Sequence, residues 1–182
     1  MHDMSDQSLV LRTRGGDKQA YGELVKRYQG SVFNVCLRLL GERHEAEDLM
    51  QDAFLRAHAR LSTYDENRPF GPWIRRVAAN LCLNRIKRRT PLSLPVEELA
   101  SRALVEAPRL PEQAAIEREQ QLRIRSAILA LPPHYRAVIE LRHFQGLSYA
   151  EIGAELEIPL SDVKSHLFRA RKLLAKGLKD HV

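Results

Sequence analysis

Residues 90–111 read TPLSLPVEELASRALVEAPRLP, with four prolines among 22 residues. Proline fixes φ and has no backbone N–H, so neither an α-helix nor a central strand runs through such a stretch. On both sides of it, apolar residues recur every three or four positions, the period of an amphipathic helix. The stretch itself is mildly acidic, with Glu97, Glu98 and Glu106 against Arg102 and Arg109. It reads as an extended linker with room for one marginal helical turn over 97–104. The expectation is an all-α chain of two small helical domains, 1–89 and 112–182, joined by a flexible proline-rich linker over 90–111.

In the first domain Leu24, Val25, Tyr28, Val32, Val35, Cys36 and Leu39 predict one helix, closed by Gly41 as a C-terminal cap. Ala46, Leu49, Met50, Ala53, Phe54, Ala57 and Leu61 predict a second. STYDENRPFGP breaks the period with turn-forming residues, and Pro72 suits the first turn of a third helix, WIRRVAANLCLNRIKRR. Beyond the linker, helices are predicted at about 112–131, 133–144, 148–156 and 160–177. Neither a strand nor a tandem repeat is legible.

Hydrophobic residues make up 44% of the chain and aromatics only 6%, which favours aliphatic helix packing. Cys36 and Cys82 each lie within an apolar helical pattern, without metal-ligand spacing, so buried reduced thiols and no metal or other cofactor are expected. The start, MHDMSDQ, has neither a basic region nor an apolar one, unlike a signal peptide. No apolar run approaches the length of a membrane span. A cytoplasmic protein without membrane insertion is expected.

The net charge of +6 leans towards an anionic partner. One source is LSYAEIGAELEIPLSDVKSHLFRARKLL, two short amphipathic runs around Pro159. Ser148 and Glu151 have capping-box spacing, and Leu147 and Ile152 form the matching hydrophobic staple. In the second run Val163, Leu167, Ala170 and Leu174, spaced four, three and four, form a face to bury. The opposite face carries Lys164, Ser165, His166, Arg169, Lys172 and Lys176. A charge run by itself is most often a solvated surface. A capped helix, a short turn and a basic helix together describe a helix-turn-helix able to enter a major groove.

The predicted helix over 73–89 is the other source, with six basic residues and no acid. Opposite Ile74, Val77, Ala78, Leu81 and Cys82 run Trp73, Arg76, Asn80, Asn84 and Lys87. An aromatic, cations and amides in one stripe fit single-stranded nucleic acid, by stacking, phosphate contact and base-edge hydrogen bonds. Beside Ile74 and Val77, Trp73 taken alone reads rather as a packing anchor. ERHEAEDLMQD, in contrast, holds five acids and one arginine, a face suited to a basic protein surface or simply to solvent. No phosphate loop, metal cluster or nucleophile–base pair points to an enzyme.

AEDLMQDAFLRA, FGPWIRRVAANLCLNRIKRR, LPPHYRAVIELRHFQGLSYAEIGAELEIPLSDVKSHLFRARKLL and the spacer between them together resemble the extracytoplasmic-function (group 4) sigma factors of bacterial RNA polymerase. The resemblance covers about residues 8–177. It implies that Asp48, Gln51 and Asp52 dock on the clamp helices of the largest polymerase subunit. It implies that the loop 61–71, with Tyr64, and the helix 73–89, with Asn80, open promoter DNA and capture a flipped base of the −10 element. It further implies that Lys164, Ser165, Phe168 and Arg169 contact the −35 element, that the C-terminal domain meets the flap of the second-largest subunit, and that the linker threads towards the active-site and RNA-exit channels. An anti-sigma partner is also implied.

The chain departs from the family pattern at Ser161-Asp162, where members often have Gly-Thr, and at His166, where they often have Arg. The loop STYDENRPFGP also varies widely among members. Promoter preference therefore does not carry over. The contrasting reading is a stand-alone helix-turn-helix regulator with residues 1–89 as a sensing or dimerising domain. That reading leaves the Asn-bearing basic helix without a purpose.

Overall fold

In the computed structural model, which describes residues 4–89 and 112–179, Asp17 opens the longest helix. Its carboxylate accepts the backbone N–H groups of Gln19 and Ala20 at 2.9 and 3.1 Å, satisfying donors that have no partner within the helix. Those bonds, the one from Ala20 foremost, and the Arg12 guanidinium at 2.6 Å hold the Asp17 carboxyl below its ordinary range. The helix, α2 (Lys18–Leu40), ends at Gly41, whose φ of 82° is open to glycine at little steric cost. A shorter α1 (Asp6–Arg14) precedes it.

Glu42 caps α3 (Arg43–Ala59) by accepting the N–H of Glu45. A single 3₁₀ turn, Leu61–Thr63, then leads through an irregular loop into α4 (Phe70–Arg89). Leu24, Val32, Val35, Cys36 and Leu39 of α2, Ala46, Ala53, Phe54 and Ala57 of α3, and Ile74, Ala78 and Cys82 of α4 are all buried, a mainly aliphatic set, with α2 packed directly on α3. Each large side chain in it contributes about 1.5–3 kcal/mol of burial. Cys36 and Cys82 are both buried in this core and form no disulfide, as the apolar pattern predicts.

The second half begins with α5 (Glu112–Leu129), followed by α6 (Pro133–Ile139). The predicted helix over 133–144 is not uniform: at Glu140–Phe144 it widens into a π turn, with the Gln145 N–H bonded to the Glu140 carbonyl five residues back. Glu140 is buried, and its carboxylate accepts the Gln145 side-chain amide at 2.9 Å. α7 (Tyr149–Leu156) starts with the expected capping box, both bonds between Ser148 and Glu151 being present. α8 (Leu160–Lys179) packs Val163, Leu167 and Ala170 against α6 and α7.

No strand occurs among the described residues. They divide into two compact units, Met1–Arg85 and Ile86–Val182, so the division lies just before the last turn of α4. The expected linker over 90–111 and its helical turn over 97–104 lie outside the described residues.

Candidate nucleic-acid interface

Four of the six residues predicted to meet single-stranded nucleic acid converge in the first unit. Trp73, Arg76, Asn80 and Asn84, on successive turns of α4, line a cavity of about 360 Å³ that is closed by Arg56 and Arg60 at the end of α3. The Asn80 Oδ1 atom is buried in this wall with no hydrogen-bond partner. A buried acceptor without a partner costs free energy, so its retention calls for an explanation. Trp73 lines the cavity and also packs, with ring centroids 4.9 Å from Tyr64 and 5.4 Å from Phe70.

Tyr64 and Lys87 are not brought to the cavity. The Tyr64 ring is only 4% exposed, and its hydroxyl donates to the Arg68 carbonyl, so it offers no free face for stacking. It supports Trp73 from behind. Arg56 and Arg60, in turn, are absent from the sequence-based set. They could have been found from the sign change along α3, where five acids over 42–52 give way to arginines spaced four apart.

On α3 itself, Asp48, Gln51 and Asp52 are exposed on one face. Leu55, three residues after Asp52, joins them and is 70% exposed. Beside this face the α2–α3 groove, about 460 Å³, is lined by Phe33, Met50 and Gln51 among others, with the Arg43 guanidinium 5.6 Å over the Phe33 ring. An exposed leucine and a half-buried methionine within an acidic rim suit a protein partner with a basic, partly apolar surface.

On α8 the buried face leaves Lys164, Phe168, Arg169 and Lys172 in solvent, with Phe168 70% exposed. Ser165 is half-buried. His166 is turned towards α6, its ring edge-on to His134 and Tyr135 at 5.1 and 5.5 Å, and its Nδ1 is buried without a partner. Burial, aided by Arg169 and opposed by Asp162, lowers its pKa. Asp162 occupies the first turn of α8, where a carboxylate complements the helix dipole. The turn before α8 is tight: a Cβ on Gly153 would stand 3.0 Å from the Ile158 carbonyl oxygen.

Among the described residues, no three His, Cys, Asp or Glu side chains converge as metal ligands, and no helix is long and apolar enough to cross a membrane.

Residues 24–91 match the family model described as Sigma-70 region 2, and residues 121–174 match Sigma-70, region 4. The chain is 36% identical to the ECF RNA polymerase sigma factor SigW of Bacillus subtilis, over 98% of this chain and 99% of that one. It is 32% identical to the ECF RNA polymerase sigma-E factor of Escherichia coli K12, over 94% and 93% of the two chains. Among solved structures it is similar to CnrH in complex with the cytosolic domain of CnrY, at 25% identity and a TM-score of 0.55, over 97% of this chain and 99% of that one.

Proposed function

The chain belongs to the extracytoplasmic-function sigma factors of RNA polymerase, and from that membership we propose how its residues divide the work of initiation. As a sigma factor it binds core RNA polymerase and directs promoter recognition, DNA opening and transcription initiation. The bond chemistry belongs to the polymerase, and the place of action is the cytoplasm.

Asp48, Gln51, Asp52 and Leu55 form the face that docks on the clamp helices. Lys164, Ser165, Phe168, Arg169 and Lys172 meet the −35 duplex, and the cavity on α4 takes a base flipped out of the −10 element. Two weak readers held at a fixed separation by the polymerase gain specificity through effective concentration, which neither has alone. Flipping a base costs about a few kcal/mol of unstacking. Stacking on Trp73, a hydrogen bond to Asn80 and phosphate contacts from Arg56, Arg60 and Arg76 offset it.

The observation that carries this reading is the Asn80 Oδ1, buried and unpartnered beside a cavity lined by an indole, three arginines, a second amide and the apolar Val77 and Leu81. A base with an exocyclic amine would supply the missing donor. CnrH was solved with the cytosolic domain of CnrY; for this chain a protein antagonist, an anti-sigma factor, would cover the faces the polymerase needs.

The test is reconstitution. The purified chain plus core polymerase yields run-off transcripts from a subset of promoters, and N80A reduces permanganate reactivity in the opened region more than it reduces binding of the upstream duplex. A chain that binds promoter DNA tightly without core, and yields no transcript with it, is instead a stand-alone regulator.

A further inference from the structure

The loop between α3 and α4 has one 3₁₀ turn and otherwise no regular structure, and side chains of α1 donate to three of its carbonyls, those of Leu61, Tyr64 and Glu66. Arg14, the last residue of α1, donates from Nε and Nη2 to the Leu61 carbonyl at 3.1 and 2.9 Å. Its Nη2 also donates to the Tyr64 carbonyl at 2.5 Å, and its Nη1 lies 3.3 Å from the Glu66 carboxylate. Gln7, two turns earlier on α1, donates its side-chain amide to the Glu66 carbonyl at 2.9 Å. One helix thus holds the backbone at 61, 64 and 66.

α1 is itself fixed. Leu9 and Val10 are buried, and Asp6 accepts from Arg27 and from the Tyr28 hydroxyl of α2. From the held backbone at Tyr64 the contacts continue to Trp73 and Phe70, and Trp73 is a wall of the α4 cavity. We propose that Arg14 is a positioning residue for capture of the −10 base: its planar fork fixes the 61–66 backbone so that Tyr64 backs Trp73 in the stacking geometry. The assignment rests on the base-capture reading above. Arg14 touches no DNA. It acts through Tyr64, and arginine is required because a lysine ammonium cannot serve two carbonyls and a carboxylate in one plane.

The test uses the full chain bound to core polymerase and a labelled single-stranded oligonucleotide carrying the non-template −10 region of a promoter mapped by sequencing the transcripts of the reconstituted holoenzyme. R14A is expected to weaken capture of that oligonucleotide about tenfold, the scale of one charge-assisted hydrogen bond, with core affinity unchanged within about twofold. R14K recovers only part of the loss. Q7A, which removes one peripheral bond and leaves the buried residues of α1 in place, shifts capture in the same direction by a smaller factor. The inference is overturned if R14A and Q7A lower core affinity and capture equally, as a general loss of folding does. It is also overturned if they capture normally while N80A does not. If N80A captures normally as well, the base-capture reading fails and this inference fails with it.

Discussion

His134 and His166 meet edge to face, ring centroids 5.1 Å apart, where the first turn of α6 packs on α8. Tyr135 flanks the pair from α6, Arg169 adds positive charge from α8, and Asp162 opposes it on the His166 side. Burial is the main cause that lowers His134 to about 4, followed by His166 and Arg169. The pair therefore packs as neutral rings.

The sign of the pH dependence follows. A histidine whose folded pKa lies below its ordinary 6.5 lets the unfolded chain take up protons first. Its stabilising packing is fully present above about pH 6.5 and is lost as pH falls towards 4. The melting temperature of the chain, followed by circular dichroism, should decline between pH 6.5 and 5, before most carboxylates titrate. His134→Phe keeps a ring in place but removes the proton site, and should flatten that decline. An unchanged slope would exclude His134 as its source.

Gly153 sets how closely α7 approaches the turn into α8. A methyl group there would meet the Ile158 carbonyl at 3.0 Å and the Val163 side chain at 3.7 Å. The carbonyl belongs to a turn whose Ile158 N–H is bonded to the Gly153 carbonyl, so relief requires moving α8. Gly153→Ala should cost about 1–3 kcal/mol of stability by overpacking, measured by urea unfolding, and should weaken −35 duplex binding by the holoenzyme. Stability equal to wild type would show that the turn can yield.

Leu55 is exposed within the Asp48–Gln51–Asp52 face, so its truncation removes almost nothing from the folded core. Leu55→Ala should change unfolding stability by less than about 0.5 kcal/mol. If the face docks on the clamp helices, the same change should cost about 1 kcal/mol or more of core affinity, read by competition against labelled wild-type protein. Equal affinity would move the docking surface elsewhere.

These residues also mark what the sequence could and could not show. Helix positions, the Ser148–Glu151 capping box, the Gly41 cap and the buried stripe of α8 depend on residues within a few positions of one another, and local periodicity reports them. α1 has no such pattern: only Leu9, Val10 and Thr13 are buried, and its purpose lies in Arg14 and Gln7 reaching a loop about fifty residues on. The cavity was half legible. The α4 stripe follows from spacing, but Arg56 and Arg60 join it through tertiary packing of α3. His166 stands on the polar side of α8 by helical position alone, and only α6 with His134 turns it inward.

The exposed residues of α8 separate by what each can read. Arg169 is exposed, one turn after half-buried Ser165 and beside exposed Phe168, whereas Lys172 lies a further turn along. A guanidinium that forks onto a guanine edge distinguishes sequences, while an ammonium on phosphate does not. Arg169→Ala should therefore weaken holoenzyme binding to the cognate −35 element by about 1–3 kcal/mol and relax preference at one base pair. Lys172→Ala should weaken all sequences alike and reduce the salt dependence by about one phosphate contact. Binding titrations over a −35 library at two or more salt concentrations distinguish the two outcomes. If Arg169→Ala also lowers every sequence equally, Arg169 is a phosphate contact, and base reading passes to Lys164, Ser165 and Phe168, the other residues on that side of the helix.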